Sequence, residues 1–204
     1  MRFSFAAGSV RGTKRSVNCD AAYACALILA VADGMEPGGD VAASTVIHTI
    51  ADFAAQPSSS LRGGQLAERA AREAVKGAQR ALVERAVPGR PLRTTLTLLV
   101  SSGDGLGMAH IGDTQEAVEP QFRARQWEPG DRYRLASDGL AFTIEAEEIC
   151  YALRDHVDPA TAVSALIEAA RRTGSPDDLT CVVADVTETG NASSPVLAGA
   201  AVAP

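Results

Sequence analysis

Lysine is almost missing from this chain: of its 19 basic residues only Lys14 and Lys76 are lysines, the bias of a GC-rich genome and silent on mechanism. Positive charge is outweighed as a whole, 19 Lys+Arg against 25 Asp+Glu, for a formal net charge of −6. A surface of that balance is not built to neutralise a phosphate backbone, so nucleic acid is not the expected partner. Aromatic residues make up 4%, which leaves the core to Ala, Val, Leu and Ile. The longest apolar run, Ala21 to Ala32, falls well short of the roughly 20 residues that span a bilayer, so no membrane partner is expected. The four cysteines, at 19, 25, 150 and 181, form no CxxC pair and no zinc-ligand spacing. The opening residues lack a basic segment followed by an apolar run. Together these features predict reduced thiols in a cytoplasmic protein.

What remains is ordinary globular material. At 204 residues and 46% hydrophobic content the chain suffices for one domain with a sizeable core. Ala24–Ala32 reads as a strand buried on both faces, and Thr94–Val100 as an alternating, β-rich segment. Further strands are expected at Gly105–Ile111, Arg132–Ala136 and Leu179–Val186, with a weaker one at Gln121–Arg125. Helical periodicity marks Asp40–Ala55, Gln65–Val87, Ile144–Asp155 and Pro159–Arg172, the last with Asp158 as N-cap and Pro159 in its first turn. Residues 1–186 are expected to form the domain; 187–204, rich in Gly, Ala, Ser and Pro, are expected to be disordered. Helices segregated from mostly antiparallel strands predict an α+β fold.

The informative residues are acids, each directly after an apolar run or in a short turn: Asp20, Asp33, Asp113, Asp138 and the Asp177-Asp178 pair. A single Asp-Gly is more often a plain turn, as Asp104-Gly105 between two strands illustrates. Five acidic positions in one context are another matter. Carboxylates at buried strand ends are costly to desolvate, and several together repel unless cations sit between them. Oxygen ligands without His or thiolate partners suit Mg²⁺ or Mn²⁺ rather than zinc.

Six motifs occur in an order that resembles the metal-dependent protein phosphatases of type 2C. They are Arg15…Asn18-Cys-Asp20-Ala21, Val31-Ala-Asp-Gly-Met35 with Gly39–Ser44, Thr94-Thr-Leu96, Ala109–Thr114, Gly130-Asp131…Ser137-Asp-Gly-Leu140, and Gly174–Thr180. The likeness covers about residues 11–186. It implies an αββα sandwich of four layers, two mostly antiparallel sheets flanked by helices. It also implies two or three Mn²⁺ or Mg²⁺ ions and hydrolysis of phosphoserine and phosphothreonine by a metal-activated water. By position, Asp33 would bridge two metals with the Gly34 carbonyl as a further ligand, Asp138 and Asp177 would complete the first site, and Asp20 would support the second. Asp113 with Asp138 would hold a weaker third ion, and Arg15 would grip the substrate phosphate. Arg15 and Asp33 would thus be the catalytic residues. The implied partner is a phosphorylated protein, the target of a serine/threonine kinase, met by a monomeric enzyme.

The chain also departs from that pattern. Glu36-Pro-Gly-Gly39 replaces a longer Gly-Gly-His stretch, Arg93 stands where a glycine usually precedes the two threonines, and Cys19 replaces Gln or Glu. Cys19 reads as a buried spectator rather than a redox handle. Asp178 replaces a common Asn, a trait shared with phosphatases of sporulation and stress response. Only 17 positions separate Asp113 from Gly130, too few for the family's mobile flap. These departures sustain a competing reading, a non-catalytic phosphatase-like module that binds a phosphoprotein or regulates a partner, and a weaker one, a phosphatase of small phosphoesters. Retention of the metal-site acids favours the enzyme. His48, His110 and His156 share no metal spacing, and Ser137 lacks the setting of a hydrolase nucleophile.

Overall fold

In a computed structural model of the chain, residues 1–56, 64–102, 105–112, 120–188 and 194–202 are described; of Gly64 and Gln65 the backbone alone is described. The elements in order are β1 (Arg2–Val10), β2 (Asp20–Ala24), β3 (Ile28–Met35), α1 (Gly39–Ala55), α2 (Gly64–Arg85), β4 (Arg93–Thr94), β5 (Leu96–Ser102), β6 (Gly105–Ile111), β7 (Gln121–Arg125), β8 (Arg132–Ala136), α3 (Asp138–Ala141), α4 (Ala146–Asp155), α5 (Pro159–Arg172), β9 (Leu179–Thr187) and β10 (Val196–Gly199). The strands form two antiparallel sheets, one of order β1-β9-β8 and one of order β10-β2-β3-β5-β6-β7, to which β4 adds by pairing with β3.

Three apolar layers hold four layers of structure together. Ile47, Ile50, Ala71, Val75 and Leu98 pack α1 and α2 onto the larger sheet. Phe3, Leu29, Val31, Leu106, Trp127 and Val182 fill the space between the sheets. Leu140, Val163, Leu166, Leu179 and Val183 pack α3 and α5 against the smaller sheet. The fold is therefore α+β, an αββα sandwich. Sparse aromatics are concentrated where the sheets meet: Phe3 stacks edge-on against Trp127 at 5.2 Å and Tyr133 at 6.4 Å between centroids.

Strands β6, β7 and β8 and helix α5 fall where the periodicity puts them, and Asp158 caps α5 by accepting a hydrogen bond from the Thr161 N–H at 3.0 Å. Elsewhere the structure corrects the sequence reading. The apolar run Ala24–Ala32 is not one strand but the end of β2, a turn at residues 25–27 and most of β3, closed by Cys25 N–H donating to Ile28 O at 2.8 Å. Both strands lie inside the sheet with helices on one face and a sheet on the other, so every position is apolar and the turn leaves no compositional mark. β1, absent from the sequence reading, sends Phe3, Phe5 and Ala7 to the inter-sheet core and Ala6 and Val10 toward α5. Within the segment expected to be disordered, Val196–Gly199 pairs with Ala21–Ala24 as an edge strand. Among the described residues between Gly112 and Gly130, the regular element is the edge strand β7.

Candidate active site

The β2–β3 register places Asp20 directly opposite Asp33. Opposed residues of an antiparallel pair share a face, and like charges there repel. Asp20 is only 1% exposed. Its Oδ2 accepts a hydrogen bond from the Ser137 hydroxyl at 2.7 Å, and its N–H donates to Asn18 Oδ1 at 3.0 Å. Ser137 is itself held, its hydroxyl accepting from Thr180 N–H at 3.2 Å. Asp20 is thus fixed from the far side of the fold.

Asp33 is held by its backbone. Its N–H donates to Thr95 Oγ1 at 3.1 Å, and its carbonyl accepts from Thr95 N–H and Thr94 Oγ1, both at 2.8 Å. The paired threonines of the sequence motif therefore serve to clamp one aspartate. The next residue must be glycine for a packing reason. A Cβ on Gly34 would run into the Gly39 backbone at the start of α1, and a Cβ on Gly39 into Gly34. This close approach docks α1 directly behind the Asp33-Gly34 strand end.

Asp138 begins α3, with Ser137 as its N-cap residue, and lies exposed in the cleft. Gly139 follows for the same kind of reason as Gly34: a Cβ there would meet the Asp178 carbonyl. The Asp177-Asp178 pair divides its duties. Asp178, 2% exposed, accepts the N–H of Gly12 at 2.8 Å and of Cys19 at 2.7 Å, binding three distant segments together. Asp177 faces Arg15, whose Nε and Nη2 both reach Oδ1, at 2.7 and 2.6 Å. That hydrogen bond raises the Arg15 pKa, keeping it fully charged.

The electrostatics follow from this crowding. Burial above all, then the charges of Asp20 and Asp138 and a hydrogen bond with Asp138, push the Asp33 carboxyl up to about 8. Burial also raises Asp20, to about 6, against the opposing hydrogen bonds from Ser137 and Thr180. The charges that shift Asp33 most, those of Asp20, Asp138 and Asp177, all carry the same sign and repel an ionised carboxylate there. Among the described residues no three His, Cys, Asp or Glu side chains converge into a ready cage. The acids instead form a chain of neighbours, Asp20–Asp33–Asp138, with Asp177 turned to Arg15. An all-oxygen set of crowded carboxyls, from buried Asp20 through half-buried Asp33 to exposed Asp138, fits a hard divalent cation.

A cavity of about 410 Å³ opens over these groups, lined among others by Asp33, Thr95, Ser137, Asp138 and Phe142. His110 lines it too, its Nδ1 3.0 Å from Thr97 Oγ1. Cys19 sits behind Asp33, 2% exposed, and burial followed by the Asp178 charge pushes its thiol up to about 11. Such a thiol is a poor nucleophile at neutral pH, in line with the spectator reading.

Of the candidates, Arg15, Asp20, Asp33, Gly34, Asp138 and Asp177 are gathered at one end of the sandwich. Asp113, like Asp104, lies outside the described residues. Three contributors escaped sequence reasoning: Ser137 as the support of Asp20, Asp178 as a buried tie, and the threonine clamp. Only the last left a local signal, two threonines at the start of a strand.

Known proteins resemble this chain in sequence and fold. The profile described as protein phosphatase 2C matches residues 14–121. The serine/threonine protein phosphatase PstP of Mycobacterium tuberculosis is 34% identical over 251 residues, covering 96% of this chain and 48% of PstP. The chain thus spans about half the length of the curated relatives it matches. That alignment is longer than this chain, so PstP carries residues with no counterpart here. The PstP catalytic domain, solved in complex with two manganese ions, superposes with a TM-score of 0.80 at 31% identity over 92% of this chain and 99% of that one. A second crystal structure of the M. tuberculosis phosphatase gives 0.81 at 29% identity, over 92% and 100%.

Proposed function

The chain belongs to the protein phosphatase 2C family, and we propose that it hydrolyses phosphoserine and phosphothreonine in a protein substrate with the help of Mn²⁺ or Mg²⁺. The observation that carries this reading is the crowding of Asp20, Asp33 and Asp138 at the rim of an open cleft, with an arginine beside Asp177. Carboxyls raised by burial and by neighbouring acids, as Asp20 and Asp33 are, are a poor structural choice and a good place for divalent ions. A module that only bound phosphoprotein would gain nothing from them.

In this reading Asp33 would serve two ions, with the Gly34 carbonyl as a further ligand; Asp138 and Asp177 would complete the first site, Asp20 would support the second, and Asp113 with Asp138 would hold a third. Bound there, such ions bring a water's pKa near neutrality and offset charge on the transferring phosphoryl group. The chain's own residues supply position. Thr94 and Thr95 hold the Asp33 backbone, and Ser137 holds the Asp20 carboxylate. Arg15, whose Nε and Nη2 are engaged by Asp177, would turn its guanidinium to phosphate oxygens when substrate and metal are bound. Ser137 is no nucleophile: it is 4% exposed and its hydroxyl is committed to Asp20 and Thr180 N–H. In this reading the attacking group is water, and Ser137 forms no phosphoenzyme.

All four cysteines are free, which supports a reducing compartment and the cytoplasm. Among the described residues no helix is long and apolar enough to cross a membrane. The substrate in this proposal is the product of a serine/threonine kinase, and the enzyme is a monomer. The test is phosphate release from a phosphothreonine peptide by the full chain, in Mn²⁺ and in excess chelator. Turnover that needs the metal supports the reading. Turnover of p-nitrophenyl phosphate alone would favour a small-phosphoester enzyme, and none on either substrate would leave the binding module.

A further inference from the structure

Phe142 is 88% exposed, the most exposed of the large hydrophobic side chains described, in a chain with five phenylalanines. Its neighbours in sequence explain how it is kept out of the core. Leu140 is wholly buried and Ile144 is 6% exposed, both in the apolar layer beneath α3, so the intervening residue is turned outward between two anchors. The turn is fixed as well. Phe142 N–H donates to the Asp138 carbonyl at 2.9 Å, and the Thr143 hydroxyl donates to the Gly139 carbonyl and reaches Ser175 Oγ at 3.5 Å.

The backbone of Phe142 is thereby tied to Asp138, one of the cleft acids, and Phe142 together with Ala141 lines the cavity that contains Asp33. The same cavity has a polar side, where Thr97 and His110 are bonded to each other. The cleft thus has one apolar lip and one polar wall. A side chain with only two torsions, on a fixed backbone at the mouth of a binding cavity, loses little entropy on contact and gains by being covered.

Resting on the phosphatase reading above, we propose that Phe142 is a substrate-contacting residue that selects peptides with an apolar side chain next to the phosphorylated residue. An apolar neighbour covers the ring while the phosphate lies at the acids. A small or charged neighbour leaves it wet. The preference is one of binding, so it resides in KM rather than kcat.

The experiment compares two phosphothreonine peptides, identical except for Leu or Ala beside the phosphothreonine, with the full chain in Mn²⁺. For wild type the Leu peptide is favoured in kcat/KM by about tenfold, carried by KM, which matches partial burial of one aromatic ring. In Phe142→Ala the ratio falls to about one, and in Phe142→Leu it is intermediate. A wild-type ratio of one, or a ratio that survives Phe142→Ala, overturns the proposal. Fluorescence anisotropy of the same labelled peptides needs no turnover and reads the same ratio as dissociation constants. Absence of metal-dependent turnover would therefore sink the phosphatase reading alone, while the anisotropy ratio still decides the role of Phe142.

Discussion

Asp20 and Asp33 face each other across the β2–β3 ladder, one of them 1% exposed, and the charges that shift Asp33 most are those of other acids. Two carboxylates so placed work against the fold until a cation separates them. Function here is set against stability, a common bargain at active sites. Above about pH 8, where the Asp33 carboxyl is ionised, Asp33→Asn removes one of the repelling charges, so the metal-free protein becomes more stable there. For a domain of this size about 1 kcal/mol corresponds to a Tm rise of roughly 2–4 °C. Thermal unfolding in excess chelator measures it, and a lower Tm in the variant would mean that Asp33 is not in a repelling cluster.

The pH dependence has a definite sign. Both carboxyls are raised above the usual value near 4, Asp20 to about 6 and Asp33 to about 8. Between about pH 4 and pH 8 the folded chain therefore holds more protons than the unfolded one. Stability of the metal-free protein is highest at the acidic end of that window and falls as pH rises. Saturating Mn²⁺ binds the deprotonated cluster and flattens or reverses the fall. Melting curves at pH 5, 6.5 and 8, with and without metal, read this directly. A metal-free protein that gains stability over the window contradicts it.

Ser137 acts through Asp20. Ser137→Ala removes the 2.7 Å hydrogen bond and leaves the carboxylate free to turn. The concentration of Mn²⁺ giving half-maximal turnover rises by about 10–100-fold, the usual cost of losing a ligand's supporting partner, while kcat at saturating metal changes less. A fall in kcat with no change in metal requirement would assign Ser137 to catalysis instead.

Asp178 is structural in the same neighbourhood. Asp178→Ala strands the buried N–H groups of Gly12 and Cys19, at about 1–3 kcal/mol for each unpaired group, and denaturant midpoints fall accordingly. Asp178→Asn keeps one acceptor and sits between the two. Equal stability for wild type and Asp178→Ala would refute the tie.

The acids of the site were legible because a carboxylate after an apolar run stands out locally. Their supports were not, because they act over long separations: Ser137 and Asp20 are 117 positions apart, Asp178 and Gly12 are 166. The fold shows the same divide. α5 carries its cap, its proline and its 3.6-residue period within itself, and its bounds are as expected. The β2–β3 turn, Cys25-Ala-Leu27, has no Gly, Pro or Asn to mark it, and burial on both faces erased the alternation that would have separated the strands. β10 is four small or apolar residues whose order comes from pairing with β2.

The most direct test of the metal-centre account is turnover of p-nitrophenyl phosphate by the full chain as Mn²⁺ is titrated, for wild type and Asp33→Asn. The account predicts metal-dependent hydrolysis in wild type and a loss on the order of 10²–10³ in kcat for Asp33→Asn, even at the highest metal concentration. Hydrolysis that proceeds in chelator, or that Asp33→Asn leaves intact, would contradict it.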